Sequence, residues 1–300
     1  HKYPNWSQEI KNMYDYFAGL KIVITGSSAL NIYMGKADLS RRAIMYNMQG
    51  LSFREYLALK YKLNFKPLKL ENILINAHKI IPQILDKTKP LKFFEEYLQF
   101  GYYPFFVEGE EDFNIRLKQT VGHVLETDLP SVENIDFGAV HNIRKLLGIL
   151  TEIVPYKPNV LSLSEKIGVS RATLLKYLYL LGSADLLLLL QSDIKGISRL
   201  NKPEKVHLHN PNLYYALSEG PVNKGSIRET YFFNQLNKSH RVNASRVADF
   251  TVDGKYTFEI GGRSKTRKQI KDSRDAFVAA DDLEFAFENK IPLWLFGFLY

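Results

Sequence analysis

The feature that most constrains the fold is a run of alternating apolar and polar residues on both sides of an Asp-Gly pair. Asp-Gly between two such runs is a strong β-hairpin signal. A three-residue connection at 253–255 places Phe250 opposite Phe258 on a uniformly apolar face, whereas a two-residue loop would mix the faces. The same register places Asp249 opposite Glu259 on the other face.

Two facing carboxylates repel each other, at a cost of about 0.2–1 kcal/mol, unless a cation or a proton intervenes. Asp249 and Glu259 are hard oxygen ligands, so Mg²⁺ or Mn²⁺ would remove the conflict, and such a site would cut phosphodiesters. The alternative is a solvated face on which bases neutralise the carboxylates. The candidate bases are Arg246, Arg263 and Lys265.

These residues resemble the PD-(D/E)xK nuclease superfamily, in which an acid on one hairpin strand and a Glu-x-Lys on the next bind metal and activate water. The resemblance implies catalytic roles for Asp249 and Glu259, and Glu229 is similar to the helical carboxylate of many members. The chain has Gly261 where the lysine of the family stands, so Lys265 is the residue that would replace it.

The N-terminal part of the chain predicts an amphipathic helix up to Phe17 and then an apolar strand at 21–25 that ends in Gly-Ser-Ser. Open α/β sheets place ligand-contacting residues at the carboxyl ends of their strands. The segment resembles the part of an AAA+ P-loop ATPase that follows the Walker B strand. The resemblance implies a sensor-1 role for Ser27 or Ser28.

Two further segments carry the same resemblance. Arg41 and Arg42 lie in a basic turn whose arginine can face a γ-phosphate in that family, and residues 51–57 read Leu-Ser-Phe-Arg-Glu-Tyr-Leu, close to a family signature. The whole arrangement is similar to AAA+ ATPases with a DUF4143 region, which implies ATP and Mg²⁺ in the intact protein. Read without the resemblance, the serines are an ordinary helix cap and the arginines an exposed turn.

No Gly-x-x-x-x-Gly-Lys-Ser/Thr motif occurs in the sequence, and the Walker B acids are missing as well. Phosphoryl transfer depends on positioning and charge neutralisation by those groups. We therefore expect that this polypeptide alone neither binds ATP tightly nor hydrolyses it. It reads as the C-terminal portion of a longer ATPase.

Residues 160–178 have the pattern of two helices joined at a glycine, with Ser162 and Glu165 as a predicted capping box. This pattern is typical of a helix-turn-helix. A leucine strand at 186–190 and a second strand near 205–209 follow, so a winged helix is expected. The side chains predicted to face outward toward DNA are Ser170, Arg171, Thr173 and Lys176. The alternative is a fold used only for packing or protein contacts.

The 300 residues carry a net charge of +8 and a pI near 9.3, which favours a polyanionic partner. Basic residues concentrate after the hairpin, where Arg263, Arg267 and Lys268 are candidate phosphate contacts, or else a solvated basic helix face. The chain has no cysteine, which excludes disulfides and thiol catalysis. His207 and His209 lack a third ligand at metal-like spacing, so zinc is not expected.

The expected fold class is multidomain α/β. The predicted parts are the end of an AAA+ core (1–60), a helical lid and linker (61–135), a winged helix (136–215) and a PD-(D/E)xK-like domain (216–300). No apolar run is long enough to cross a bilayer, so we expect no membrane partner and cytoplasmic residence.

The function hypotheses are a DNA-associated ATPase portion with a nuclease-like tail, a metal-dependent DNA endonuclease that uses Asp249 and Glu259, and a protein–protein assembly or regulatory module. DNA is the expected partner, and a homo-oligomer is compatible with the family that the chain resembles.

Overall fold

The computed structural model describes residues 5–25, 39, 42–132, 135–153, 155, 157–192, 202–266, 270 and 273–300. The helices are α1 Trp6–Tyr16, α2 Phe53–Tyr61, α3 Leu70–Leu85, α4 Pro90–Phe100, α5 Phe113–His123, α6 Leu129–Val132, α7 Phe137–Ile153, α8 Val160–Ile167, α9 Arg171–Ser183, α10 Pro211–Leu217 and α11 Lys224–Asn237. The strands are β1 Leu187–Leu190, β2 Lys205–Leu208, β3 Val242–Ala244, β4 Phe250–Val252, β5 Tyr256–Gly261, β6 Ala276–Ala280 and β7 Lys290–Pro292. Short 3₁₀ turns at Pro104–Val107 and Leu293–Phe298 and a π turn at Val124–Asp128 complete the described elements.

The larger sheet has five strands in the order β3-β4-β5-β6-β7. The first three are antiparallel, whereas β6 and β7 each run parallel to the preceding strand. The predicted hairpin register is confirmed, because Phe250 pairs with Phe258 and Val252 pairs with Tyr256. Asp253 and Gly254 both adopt positive φ in the connection, which is the conformation that an Asp-Gly turn supplies readily.

The smaller sheet is the antiparallel pair β1-β2, which follows the helices α8 and α9. It is joined to the larger sheet, because the Ala244 backbone N–H donates to the Gln191 carbonyl at 2.8 Å. Lys205 is the first residue of β2 in the smaller sheet, and this junction brings it close to the larger sheet.

The turn between α8 and α9 agrees with the sequence at two of three points. Gly168 ends α8 with φ +82, and the Ser170 hydroxyl accepts from the Thr173 backbone N–H to cap α9. The predicted capping box of Ser162 and Glu165 is wrong. Helix α8 begins three residues earlier, at Val160, and is capped by Asn159, because an asparagine there can accept from the Ser162 backbone N–H.

The predicted strand near the N-terminus is not formed. Helix α1 is present as expected, but residues 21–25 have no strand pairing, and Val23 is 89% exposed. A buried parallel strand needs hydrogen-bonded neighbours and covering helices, and the described residues place none beside this segment.

The Leu-Ser-Phe-Arg-Glu motif joins the N-terminal half of the chain to its last residues. Ser52 and Glu55 form a reciprocal capping box at the start of α2. The Ser52 hydroxyl and the Arg54 Nε both donate to the Tyr300 carbonyl, each at 2.7 Å. Phe53 is fully buried against Phe298, so one continuous core extends from α2 to the last 3₁₀ turn.

The described structure is therefore α/β, with two small sheets among many helices. The division into four domains remains a prediction. None of the helices in the described part of the chain is long and apolar enough to cross a bilayer.

Candidate functional site: a lysine-paired carboxylate cluster

Three elements supply the carboxylates of the candidate site. Glu229 lies on α11, Asp249 immediately precedes β4, and Glu259 lies in β5. The sheet positions Asp249 firmly, because its backbone N–H donates to the Phe258 carbonyl and its Oδ2 accepts from the Ile260 backbone N–H at 2.8 Å. The acids that the sequence singled out are thus brought to one side of the sheet.

Lys205 connects two of these acids. Its Nζ lies 2.9 Å from Glu229 Oε2 and 3.5 Å from Asp249 Oδ1. All three side chains are mostly buried, with exposed fractions of 17–19%. A mostly buried carboxylate pair needs a compensating cation, and the lysine supplies it.

Lys265 pairs with the third acid. Its Nζ forms an ion pair with Glu259 Oε1. The other oxygen, Glu259 Oε2, is buried without a hydrogen-bond partner among the described residues. The Lys265 side chain also fills the space beside Gly261.

The pKa shifts agree with this arrangement. Burial, followed by repulsion from Asp249, raises the pKa of Glu229. Burial also raises the pKa of Glu259, against the lowering effect of Lys265. Burial lowers the pKa of Lys205, but attraction to Glu229 and Asp249 outweighs it, so that the net pKa is raised.

The charged partners of these carboxylates in the described part of the chain are the lysines Lys205 and Lys265. No group of three or more His, Cys, Asp or Glu side chains in that part of the chain is arranged to hold a metal ion. Lys205 was missed at the sequence level, because its contact with Glu229 and Asp249 depends on tertiary packing and no local pattern signals it.

The predicted DNA-contacting face of α9 is only partly available. Arg171 and Lys176 are exposed. The Ser170 hydroxyl instead caps the helix and lies 2.8 Å from the Thr173 hydroxyl, so these two side chains are used within the helix start. Arg263 is exposed after β5, while Arg267 and Lys268 lie outside the described residues.

Of the four predicted nucleotide-contacting residues, the described part of the chain includes Arg42 alone. Ser27, Ser28 and Arg41 lie outside the described residues. Arg42 makes two hydrogen bonds of 2.7 Å to the Asp15 carboxylate. This interaction lowers the pKa of Asp15.

His207 lies in β2 and His209 directly follows it, and both side chains are buried. His207 is fully buried between Phe233 and Phe250. Burial lowers its pKa to about 3, so it is neutral at physiological pH. His209 lies 3.3 Å from Asp185, and neither histidine is part of a metal-ligating group among the described residues.

Comparisons with known protein families match two segments of the chain. Residues 1–57 match the AAA domain family, and residues 91–223 match a family described as Domain of unknown function (DUF8612). An uncharacterized protein of Methanocaldococcus jannaschii is 26% identical over 193 residues. That alignment covers 61% of this chain and 39% of the relative, so the chain spans well under half the length of the curated relative it matches. No solved structure matches the chain.

Proposed function

We propose that this chain is part of an AAA-type ATPase that binds DNA, and that its C-terminal sheet has a nuclease-like site that does not cut. The AAA domain match supports the ATPase part. The observation that carries the absence of cutting is the pairing of all three carboxylates with lysines, Glu229 and Asp249 with Lys205 and Glu259 with Lys265. These ion pairs engage Glu229 Oε2, Asp249 Oδ1 and Glu259 Oε1, so a catalytic metal would have to displace a lysine to use those oxygens.

Two features support the nuclease-like character. Helix α11 precedes a sheet of three antiparallel strands followed by two parallel ones, and Glu229, Asp249 and Glu259 lie on that helix, just before β4 and in β5, as the resemblance to the PD-(D/E)xK motif implies. The Lys265 side chain fills the space that a residue at position 261 would need, which supports Lys265 as the replacement for the lysine of the motif.

DNA binding is supported by the net charge of +8 and by exposed basic side chains on two elements. Helices α7, α8 and α9, followed by the antiparallel pair β1-β2, have the element order of a winged helix. In such a fold, Arg171 and Lys176 on α9 would contact phosphates.

The test mixes the purified chain with branched, single-stranded and duplex DNA in the presence of Mg²⁺ or Mn²⁺. We expect salt-sensitive binding without cleavage, and Arg171→Ala should weaken binding across all sequences. Lys118→Ala, an exposed lysine on α5, is the matched control and should leave binding unchanged. Loss of binding in both variants alike would count against a DNA contact on α9.

The second candidate is a metal-dependent endonuclease that uses Asp249 and Glu259, and the confirmed hairpin register favours it. Cleavage that disappears in Asp249→Ala would establish that candidate instead. If the chain neither binds nor cuts DNA, the third candidate remains, a protein–protein assembly or regulatory module.

We also propose that ATP and Mg²⁺ are used by the intact protein and that this chain alone does not hydrolyse ATP. The proposal depends on the missing phosphate-binding loop. A phosphate-release assay on the purified chain tests it, and turnover of ATP above the buffer rate would contradict it.

A further inference from the structure

We infer that Lys205 is the resident cation of the carboxylate cluster and that it blocks a latent site for a divalent hard cation such as Mn²⁺ or Mg²⁺. The inference rests on the nuclease-like character proposed above, but it does not depend on DNA binding. Its readout is the binding of metal alone.

The first observation is the origin of Lys205. Lys205 belongs to β2 of the two-stranded sheet. Glu229 lies on α11, and Asp249 immediately precedes β4 of the five-stranded sheet. Its ammonium nevertheless lies between the two carboxylates, at 2.9 and 3.5 Å. The ammonium of Lys205 therefore lies between Glu229 and Asp249, although the three residues come from different elements.

The second observation is that one oxygen of Glu259 has no partner in the described part of the chain. Glu259 is 4% exposed, and its Oε2 has no hydrogen-bond partner among the described residues. A buried oxygen without a donor is destabilising, and more so when the group is charged. Lys265 satisfies only the Oε1 atom of this carboxylate.

Charge explains why removal of Lys205 would open a metal site. Without its ammonium, Glu229 and Asp249 would face each other with no cation between them, and Glu259 adds to the repulsion felt by Glu229. A divalent ion with carboxylate ligands compensates two negative charges, whereas one lysine compensates one. The described residues contain no group of three or more His, Cys, Asp or Glu side chains that could hold a metal ion, so the expected ion would use Glu229 and Asp249, which already flank one cation, with water completing its coordination.

The experiment measures Mn²⁺ binding to the full chain by electron paramagnetic resonance and isothermal titration calorimetry. The wild-type chain is expected to bind Mn²⁺ weakly, whereas Lys205→Met should bind one Mn²⁺ at least about tenfold more tightly. Lys202→Met is the matched control, since Lys202 is an exposed residue three positions earlier, and it should behave like the wild type. Adding Asp249→Asn to Lys205→Met should abolish the gain.

Folding of the variant is checked by circular dichroism and by urea unfolding. If Lys205→Met is unfolded without metal, Mn²⁺ should restore its folded signal, and Lys205→Gln provides a second measurement. The inference is overturned if neither substitution tightens Mn²⁺ binding or responds to Mn²⁺ in unfolding. It is also overturned if the wild type already binds Mn²⁺ tightly in a manner that Asp249→Asn removes.

The outcome is distinguishable from failure of the proposed function. A chain that does not bind DNA but gains a Mn²⁺ site in Lys205→Met would retain this inference and lose the DNA proposal. If the chain binds DNA but Lys205→Met gains no Mn²⁺ site, the DNA proposal stands and this inference is lost.

Discussion

Lys265 occupies the space beside Gly261, because a Cβ added at Gly261 would lie 2.7 Å from both Cβ and Cγ of Lys265. This contact explains why the last residue of β5 is a glycine. A side chain at 261 and the observed path of Lys265 exclude each other.

Gly261→Ala should therefore destabilise the chain by about 1–3 kcal/mol, since overpacking outweighs the smaller gain from restricting the unfolded chain. The penalty should be smaller in a Lys265→Gly background, which removes the clashing atoms. Urea unfolding of the four combinations measures this coupling. Gly122→Ala is the control, because no heavy atom lies within 4 Å of its added Cβ and a helix favours alanine. Equal stability of Gly261→Ala and the wild type would show that Lys265 moves away freely.

Lys265→Met should cost about 1–3 kcal/mol at neutral pH, because it leaves the buried Glu259 carboxylate without its cation. This cost is below that of breaking a fully buried pair, since Lys265 is itself 34% exposed. The double variant Glu259→Gln/Lys265→Met should recover most of the loss. If it is no more stable than Lys265→Met, the pairing is not the cause.

The penalty of Lys265→Met should also shrink as the pH falls. The pKa of Glu259 is already raised in the folded chain by burial. A raised pKa means that the contribution of this group to stability is present below its unfolded pKa and is lost as the pH rises through the folded pKa. Stability curves at pH 4 and pH 7 measure the difference, and a penalty independent of pH would be inconsistent with this explanation.

The start of α8 offers a matched pair of substitutions. Asn159→Ala should cost about 1 kcal/mol, because its side chain caps the helix through the Ser162 backbone N–H. Ser162→Ala should have a much smaller effect, since Ser162 lies inside the helix. Thermal unfolding of both variants distinguishes the observed cap from the predicted capping box, which would reverse the order.

His207 should make the chain acid-sensitive. Burial, with a contribution from Lys205, lowers its pKa to about 3, well below the value of an unfolded histidine. The unfolded state binds more protons between those two pKa values, so stability should fall as the pH decreases, by up to about 1.4 kcal/mol per pH unit.

His207→Leu should reduce the slope of stability against pH. The raised pKa of Glu229 acts in the opposite direction in both proteins, so the difference between their slopes reports the imidazole alone. Urea unfolding at several pH values between 4 and 7 provides the measurement. His78→Gln, at an exposed histidine, should leave the slope unchanged. An unaltered slope in His207→Leu would mean that other groups cause the acid sensitivity.

The hairpin could be predicted from the sequence in detail, because one alternating pattern and one turn determine which residues face each other. The pairing of Phe250 with Phe258 and the proximity of Asp249 to Glu259 follow from that register. The Ser170 cap was also predictable, since a cap depends only on residues three positions apart.

Of the two lysines that pair with the carboxylates, only Lys265 could be predicted from the sequence. The sequence identified Lys265 as a base near Glu259, but Lys205 comes from another sheet, and only tertiary packing brings it to Glu229. The expected strand at 21–25 failed for a related reason. Apolar residues form a buried strand only where neighbouring strands supply hydrogen bonds.

The salt dependence of DNA binding in the presence of Mg²⁺, with the DNA recovered and sized afterwards, tests the central claim most directly. We expect the logarithm of the association constant to fall linearly with the logarithm of salt concentration, with several phosphates neutralised and the DNA intact. Binding that ignores salt, or cleavage that disappears in Asp249→Ala, would contradict the claim that this chain binds DNA without cutting it.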